Sequence, residues 1–483
     1  MVIREQARII LGDWNVKSVH VGMTRMKRIV LSLSMVMASV MLTEAEPGRE
    51  TQAKFPPLDA TVLDSALFSK KLEDVMTMYH RDPPAPEKVP QAQIQARMKE
   101  NGIDIREAEA SGLQWLTSAK DGLRANPGTL ELLGQRVGEV IIRAGAPGVV
   151  GSVTISLYNR GDNGDITARA LLQSVDYWKA RISAAFGTQP ESRDQRGAVN
   201  LVGWTWRKDR VAWLLESSIS KGDEGPRAEF IRLRIGSLDA PAGGGGQPAR
   251  RSSLTDHIKK TASGDVYLEG VPMVDQGEKG YCAVASAERI VRYFGLDVDQ
   301  HEMAQIANTG QMGTSIEEME AALKNATGKL HVKTTKQFDL DQRQFIADVK
   351  SYNQEAKKLG EKEFNNERNV SIVNPLYFWQ EVKPEIFREL KIKQAGFGRF
   401  TTKIEDYIDQ GIPLCWALQL GMFKEDGLPQ SRGGHMRLII GYNKTTKEII
   451  YTDSWGKGHE MKRMPAANAW CMTMALYTLA PTR

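Results

Sequence analysis

The residue with the clearest chemical potential in this sequence is a cysteine at the predicted start of a helix. After Cys282, apolar residues follow at helical spacing as far as Phe294, and Gly295 ends the pattern. The unpaired backbone N–H groups and the dipole of a helix N-terminus favour the thiolate, which is the nucleophilic form of cysteine. Gln276 lies six residues upstream on a glycine-bearing loop. We expect its side-chain amide to fold back beside the Cys282 backbone N–H, so that the two donors form an oxyanion hole.

A nucleophile of this kind needs a base, and His435 is the candidate. It begins a predicted strand, after which the chain turns at residues 443–446 and returns as a second strand that ends at Asp453. In an antiparallel hairpin, the start of the first strand lies beside the end of the second. We therefore expect the Asp453 carboxylate to lie near His435, where it would orient the imidazole and stabilise its charged form.

Four features of this pattern resemble the papain-like cysteine peptidases. They are Gln276 six residues before a cysteine, Cys282 at a helix start, His435 entering a strand, and Asp-Ser-Trp-Gly at 453–456, where papain relatives carry Asn-Ser-Trp-Gly. Within that group the sequence is similar to the bacterial branch that includes the double-glycine peptidase domains of bacteriocin exporters. The resemblance spans about residues 266–460.

This resemblance implies a papain-like fold, in which a helix that carries the cysteine packs on an antiparallel sheet that carries histidine and aspartate. It also implies a role for each residue. Cys282 is the nucleophile, His435 the general base and acid, and Asp453 the group that orients the histidine. Gln276 is the oxyanion-hole donor, and Trp455 covers the bond between the histidine and the aspartate.

We therefore predict an exported cysteine peptidase that acts on a peptide or protein substrate. The Cys282 thiolate attacks a peptide carbonyl, His435 protonates the leaving amine, and water then hydrolyses the acyl-enzyme. Attack by another amine in place of water would make the same site a transpeptidase. A further alternative is a non-catalytic peptide- or cell-wall-binding module on a papain-like scaffold. The sequence does not indicate an oligomeric state.

The remaining cysteines and histidines show no pattern typical of a second site. Cys415 lies in the apolar strand 412–418 and Cys471 in another apolar run, so both are predicted to be structural, and whether they pair stays open. His459 is an alternative base, but it directly follows Gly456-Lys457-Gly458, a sequence typical of a mobile loop, which argues against that role. Because no CxxC, HExxH or similar spacing occurs, we predict no metal and no cofactor.

Length and composition indicate a globular protein of two or three domains. The chain has 483 residues, of which 41% are hydrophobic and 25% charged, so it can bury a core. Its net charge of +5, with both signs interspersed, is too weak and too diffuse to predict nucleic-acid binding. Three cysteines cannot build a framework of several disulfides, and their odd number leaves at least one thiol free.

Residues 1–45 are predicted to be an over-extended gene start followed by a signal peptide. Lys27 and Arg28 precede an apolar run over 29–42, which is shorter than the ~20 residues that span a bilayer. We therefore expect cleavage near Ala45, export to the periplasm or the exterior, and no stable membrane span afterwards. An uncleaved membrane anchor is the alternative.

The rest of the chain is predicted to be α+β and to comprise two domains joined by a linker. Residues 46–238 form an α+β accessory domain, residues 239–262 a Gly/Pro-rich linker, and residues 263–483 the papain-like cysteine peptidase domain. The role of the accessory domain stays open between substrate recognition, inhibition as a pro-region and binding to a surface. The glycine run 243–246 is either a self-processing site or a plain flexible tether.

Within the accessory domain, the hydrophobic patterns predict both helices and strands. These are helices over 58–144, a strand over 149–158, a helix over 168–186, a hairpin of 199–206 with 211–218, and a strand over 229–235. The predicted hairpin carries Trp204, Trp206 and Trp213. Aromatic residues on strands usually pack in a core, so we favour that role over a platform that binds carbohydrate or peptide.

Overall fold

The structure is a computed structural model. It describes residues 55–81, 111–146, 148–196, 199–222, 225–239, 249–296, 298–307, 309, 320, 332–364, 375–428 and 432–482. The predicted signal peptide and the glycine run of the predicted linker lie outside these residues. All described residues belong to one compact unit.

An antiparallel sheet flanked by helices forms the N-terminal part of the described chain. Its helices are α1 (Asp59–Val62), α2 (Leu72–Met78), α3 (Arg160–Asn163) and α4 (Ala168–Phe186), with a 3-10 turn at Leu67–Ser69. Its strands are β1 (Gln114–Trp115), β2 (Gly122–Ala125), β3 (Glu131–Leu132), β4 (Gln135–Arg136), β5 (Val140–Ala144), β6 (Val150–Asn159), β7 (Glu191–Ser192), β8 (Gln195–Arg196), β9 (Asn200–Lys208), β10 (Val211–Gly222) and β11 (Gly225–Ser237). The main sheet has the order β1-β2-β5-β6-β11-β10-β9-β7, with β8 on β9 and with β3 and β4 paired separately.

Several predicted elements of this part are confirmed. Helix α4 has the predicted bounds: the Thr167 hydroxyl accepts a hydrogen bond from the Ala170 N–H at its start, and Gly187 ends it with a φ of 69°. Strands β9 and β10 form the predicted hairpin. Trp206 and Trp213 are buried, which is the core packing that the strand pattern favours, and Trp204 is partly buried against the same core.

The prediction of helices over 58–144 is wrong for most of that range. The described residues are helical only near the start, in α1 and α2, and residues 114–144 form strands β1 to β5. These strands have two to five residues each, too short for a two-residue alternation to stand out against a helical spacing. β5 pairs with the much longer β6, β2 pairs with β5 and β1 with β2, and this pairing, which no local pattern encodes, decides their conformation.

A second antiparallel sheet with helices forms the C-terminal part. Its strands are β12 (Ile258–Lys260), β13 (Asp265–Leu268), β14 (Val332–Asp339), β15 (Leu414–Leu420), β16 (Gly433–Asn443), β17 (Glu448–Thr452), β18 (Lys462–Pro465) and β19 (Thr473–Pro481). Its helices are α5 (Cys282–Tyr293), α6 (Gln300–Ile306), α7 (Gln342–Lys358), α8 (Pro375–Glu381), α9 (Pro384–Lys391), α10 (Ala395–Ile408) and α11 (Ala466–Met472), after a 3-10 turn at Arg251–His257. The strand order is β12-β13-β16-β15-β19-β14, and β17 pairs with β16 and β18.

Helix α5 and strand β16 form the centre of this part, as the fold prediction requires. The buried face of α5 includes Val284, Ile290 and Val291, which join one apolar core with the residues of β15 and β16. The Ser286 hydroxyl donates to the Met436 carbonyl at 3.5 Å, which connects the helix directly to β16. A helix that begins with the cysteine therefore packs on an antiparallel sheet that carries the histidine.

The two parts have separate apolar cores. One core draws on residues 55–235 and the other on residues 254–479. The exact boundary at the predicted linker remains a prediction. Within the described part of the chain, no helix combines the length and the hydrophobicity that crossing a bilayer requires.

Candidate active site

Cys282 is the first residue of α5 and is only partly buried. In the first turn of a helix the backbone N–H groups have no partner within the helix, and they point toward this end. Cys415 and Cys471 differ from it, because both are buried and unpaired. Burial raises the pKa of each of these two thiols to about 12, which keeps them protonated and unreactive.

The hairpin of β16 and β17 brings His435 and Asp453 together. His435 is the third residue of β16, and Asp453 directly follows β17. The distance between His435 Nε2 and Asp453 Oδ1 is 2.6 Å, and both side chains are buried. The other ring nitrogen, Nδ1, has no partner with hydrogen-bond geometry among the described residues. Nδ1 is therefore the nitrogen left to exchange a proton with a reactant.

The electrostatic surroundings favour the charged form of this histidine. Burial acts to lower the pKa of His435, but the Asp453 carboxylate and the nearby Cys282 sulfur raise it, to about 9. Burial acts to raise the pKa of Asp453, yet His435 and Arg437 hold it well below its usual range. A carboxylate beside an imidazole, with a cysteine nearby, is the arrangement that an activated thiol nucleophile requires.

Two buried arginines that sequence reasoning missed hold Asp453 in place. Arg437 donates from Nε to Asp453 Oδ2 at 2.7 Å, and its Nη1 lies 2.8 Å from Glu425 Oε2. Arg289 donates from Nη1 to the Asp453 carbonyl at 2.8 Å and from Nε to the Pro272 carbonyl at 2.8 Å. The carboxylate therefore has a fixed partner for each of its two oxygens.

Both arginines could have been found by spacing. Arg437 lies two residues after His435 on the same strand, so the two side chains leave the sheet on the same face. Arg289 lies seven residues after Cys282, two turns further along one face of α5. A charged residue within a segment that the apolar pattern predicts to be buried is the signal in both cases.

Trp455 covers the histidine. Its ring stacks on the His435 ring, with 4.3 Å between the centroids and 13° between the planes. A cover of this kind keeps water away from the bond between His435 and Asp453. The His459 ring packs edge-on against the Trp455 ring, with 5.6 Å between the centroids. Burial lowers the pKa of His459 to about 4, and the contact of this residue with Asp453 is made by its backbone carbonyl, so it does not occupy the position of the base.

Gln276 is buried next to the same segment and has a defined amide orientation. Its Oε1 accepts from the Ser454 hydroxyl at 2.7 Å, and its backbone N–H donates to the Ser454 carbonyl at 2.9 Å. Its Nε2 donates to the Lys279 carbonyl at 3.2 Å, in the loop that leads into Cys282. Because Ser454 fixes the oxygen of the amide, the nitrogen faces the cysteine loop as a donor. Sequence reasoning did not predict this role for Ser454.

The structure thus brings together the four residues that the sequence singled out. Together they comprise a thiol at a helix start, an imidazole paired with a carboxylate, and a side-chain amide. Nowhere in the described ranges do three or more His, Cys, Asp or Glu residues form a group that could hold a metal ion.

The comparison with protein families gives one match. Residues 385–475 match the model of the Peptidase_C39 like family. The matched residues include His435 and Asp453, whereas Gln276 and Cys282 lie upstream of them. No curated protein sequence matches the chain significantly.

Twelve chains of solved structures match. One of them is xylellain, a cysteine protease from Xylella fastidiosa, which is 13% identical. The match covers 50% of this chain and 92% of xylellain, with a TM-score of 0.24. The family match confirms the predicted resemblance over residues 385–475. The Cys-bearing helix on an antiparallel sheet confirms the predicted fold class, which combines helices with an antiparallel sheet.

Proposed function

We propose that this protein is a cysteine peptidase that cleaves peptide bonds through an acyl-enzyme on Cys282. The observation that carries the proposal is the buried pair of His435 and Asp453, with the free nitrogen of the imidazole left for the thiol. A cysteine at a helix start beside such a pair is the arrangement of an activated thiol nucleophile. The alternative of an inert scaffold does not explain why all the required groups are kept together.

The proposed reaction starts with transfer of the thiol proton to His435 Nδ1. The Cys282 thiolate then attacks the peptide carbonyl carbon, and the negative oxygen receives hydrogen bonds from Gln276 Nε2 and the Cys282 backbone N–H. His435 returns its proton to the departing amine, which leaves a thioester. Water, deprotonated by His435, cleaves the thioester and releases the acid product.

We also propose that the protein is exported after cleavage near Ala45. The support is the basic residues and the short apolar run of the leader. Expression of the full chain in a Gram-negative host, followed by N-terminal sequencing of the periplasmic fraction, tests this step. The expected mature protein begins just after residue 45, whereas full-length protein in the cytoplasm or in the membrane contradicts export with removal.

The peptidase proposal is tested by incubating residues 46–483 with a mixed peptide library under reducing conditions. Wild type is compared with Cys282→Ala, and Cys471→Ala serves as a matched control, because it removes a buried thiol outside the site. Mass spectrometry is expected to find new peptide termini with wild type and with the control, and none with Cys282→Ala. Cleavage that persists in Cys282→Ala contradicts the proposal. Ligated peptides in place of new termini would indicate a transpeptidase.

A further inference from the structure

We propose that the N-terminal part holds the loop that carries Gln276 in its working position, and that Arg124 and Lys279 are positioning residues of the oxyanion site. The inference rests on the proposed function, because it assigns the N-terminal part a role at the same site. It assigns the N-terminal part a positioning role in place of inhibition, because this part supplies direct contacts to the loop of residues 275–281.

The first contact is a buried arginine of the N-terminal sheet. Arg124, on β2, donates from Nε to Glu139 Oε1 at 2.6 Å, and its Nη1 lies 3.4 Å from Asp275 Oδ2. The other oxygen of Asp275 accepts from the Gly277 N–H at 2.9 Å. Arg124 therefore holds, through Asp275, the backbone on both sides of Gln276.

Gly277 shows how closely the arginine approaches. Its φ is +68°, a conformation that side-chain-bearing residues rarely adopt, and a Cβ at this position would lie 2.8 Å from Arg124 Nη2. The guanidinium thus packs directly on the loop backbone.

The second contact is made by Lys279, whose side chain is buried. Its Nζ lies 3.0 Å from Asp162 Oδ2 and 3.9 Å from Glu139 Oε2, both in the N-terminal part. The carbonyl of the same residue accepts from Gln276 Nε2 at 3.2 Å. The group that holds the oxyanion-hole amide therefore belongs to a residue anchored by its side chain in the other part of the molecule.

The third contact fixes the residue directly before the nucleophile. The Tyr281 hydroxyl donates to Asn159 Oδ1 at 3.2 Å. Gly161 lies so close beneath it that a Cβ there would be 2.2 Å from the hydroxyl oxygen. The start of α5 is therefore seated on the N-terminal part as well.

General adhesion between two domains is a weaker explanation for these contacts. Taking an arginine, a lysine and three carboxylates out of water costs nearly as much as their pairing returns, so such a cluster adds little stability. The geometry of this charged cluster, in contrast, is specific. Each of its charged side chains contacts the loop of residues 275–281, belongs to it, or pairs with a residue that contacts it. A neutral interface of equal area would hold the parts together without fixing Gln276.

The test compares Arg124→Gln and Lys279→Met with Leu201→Ala in residues 46–483. Leu201 is buried and packs in the cluster where Phe230 meets Ile306, so its truncation loosens the interface away from the loop. On a peptide that wild type cleaves, we expect kcat to fall about 10-fold or more in the two loop variants, because an oxyanion donor is displaced. KM and the rate of Cys282 alkylation by iodoacetamide, which forms no oxyanion, are expected to stay within about twofold. Arg124→Lys, which keeps the charge, is expected to recover part of kcat.

Either of two results overturns the positioning role. The first is an unchanged kcat in both loop variants. The second is that Leu201→Ala loses as much kcat as the loop variants do when its melting temperature falls by the same amount as theirs. Hydrogen exchange of the amides of residues 275–281 decides the question even if wild type cleaves nothing in the library. Faster exchange in Arg124→Gln and Lys279→Met, but not in Leu201→Ala, supports the positioning role independently of the peptidase proposal. Unchanged exchange in the loop variants contradicts it.

Discussion

Arg437 Nε lies 2.7 Å from Asp453 Oδ2, while the other carboxylate oxygen, Oδ1, contacts His435 Nε2. The arginine is fully buried, and its guanidinium carbon also lies 4.5 Å from the centre of the Tyr451 ring. A buried carboxylate beside an imidazolium is thereby compensated by a second cation. This arrangement explains how an aspartate can stand where papain relatives carry the neutral asparagine.

Asp453→Asn is expected to reduce kcat/KM at least about 10-fold, because the amide NH₂ must face either His435 Nε2 or Arg437 Nε, both of which donate to the carboxylate in wild type. The loss of the carboxylate also lowers the pKa of His435 from about 9 toward its ordinary value. The high-pH limb of the kcat/KM profile is therefore expected near pH 9 in wild type and at lower pH in the variant. An identical limb in both proteins would contradict the assignment of Asp453.

Arg437→Met is expected to destabilise the protein by about 3–5 kcal/mol, because it leaves a buried carboxylate with one cation fewer. Urea denaturation measures this change. The control is Arg463→Met, since Arg463 pairs with Asp265 but is 39% exposed, and its loss is expected to cost about 1 kcal/mol or less. Equal losses in the two variants would show that burial of the pair does not matter.

The stability of the protein is expected to fall as the pH rises toward 9. The folded-state pKa of His435, about 9, lies above its ordinary value. The contribution of the pair is therefore complete below about pH 6.5 and is lost as the pH rises through about 9. Unfolding free energies measured by urea at intervals from slightly acidic to alkaline pH test this trend against His435→Gln. If the unfolding free energy of His435→Gln falls with pH as steeply as that of wild type, the pH dependence belongs to other groups.

Removal of the cover over the histidine is expected to weaken the bond beneath it. Trp455→Ala opens the stacked face of His435 to water, where a hydrogen bond to Asp453 is electrostatically weaker, and kcat is expected to fall about 10-fold. Trp455→Phe keeps an aromatic face and is expected to retain most of the activity. If Trp455→Ala and Trp455→Phe have the same kcat as wild type, the ring has no part in the reaction.

The helix and the hairpin that carry the candidate site residues could be predicted from the sequence, because short-range patterns determine both. The apolar spacing after Cys282 defines α5, and the turn at 443–446 defines the hairpin that joins His435 to Asp453. The charged residues that surround the candidate site were missed, because their pairing depends on contacts between residues that are distant in sequence. Arg124 and Asp275 are an example: their pairing requires that two separate sheets already lie side by side. The same reason explains the wrong prediction of helices in residues 114–144.

A chromogenic ester tests most directly whether Cys282 forms a covalent acyl intermediate. Residues 46–483 are mixed with p-nitrophenyl acetate, quenched in acid within the burst of nitrophenol, digested and analysed by mass spectrometry. We expect one added acetyl group on the peptide that contains Cys282, its loss on longer incubation, and neither burst nor label in Cys282→Ala. A burst of equal size in Cys282→Ala, or an acetyl group found only on other residues, would contradict this expectation.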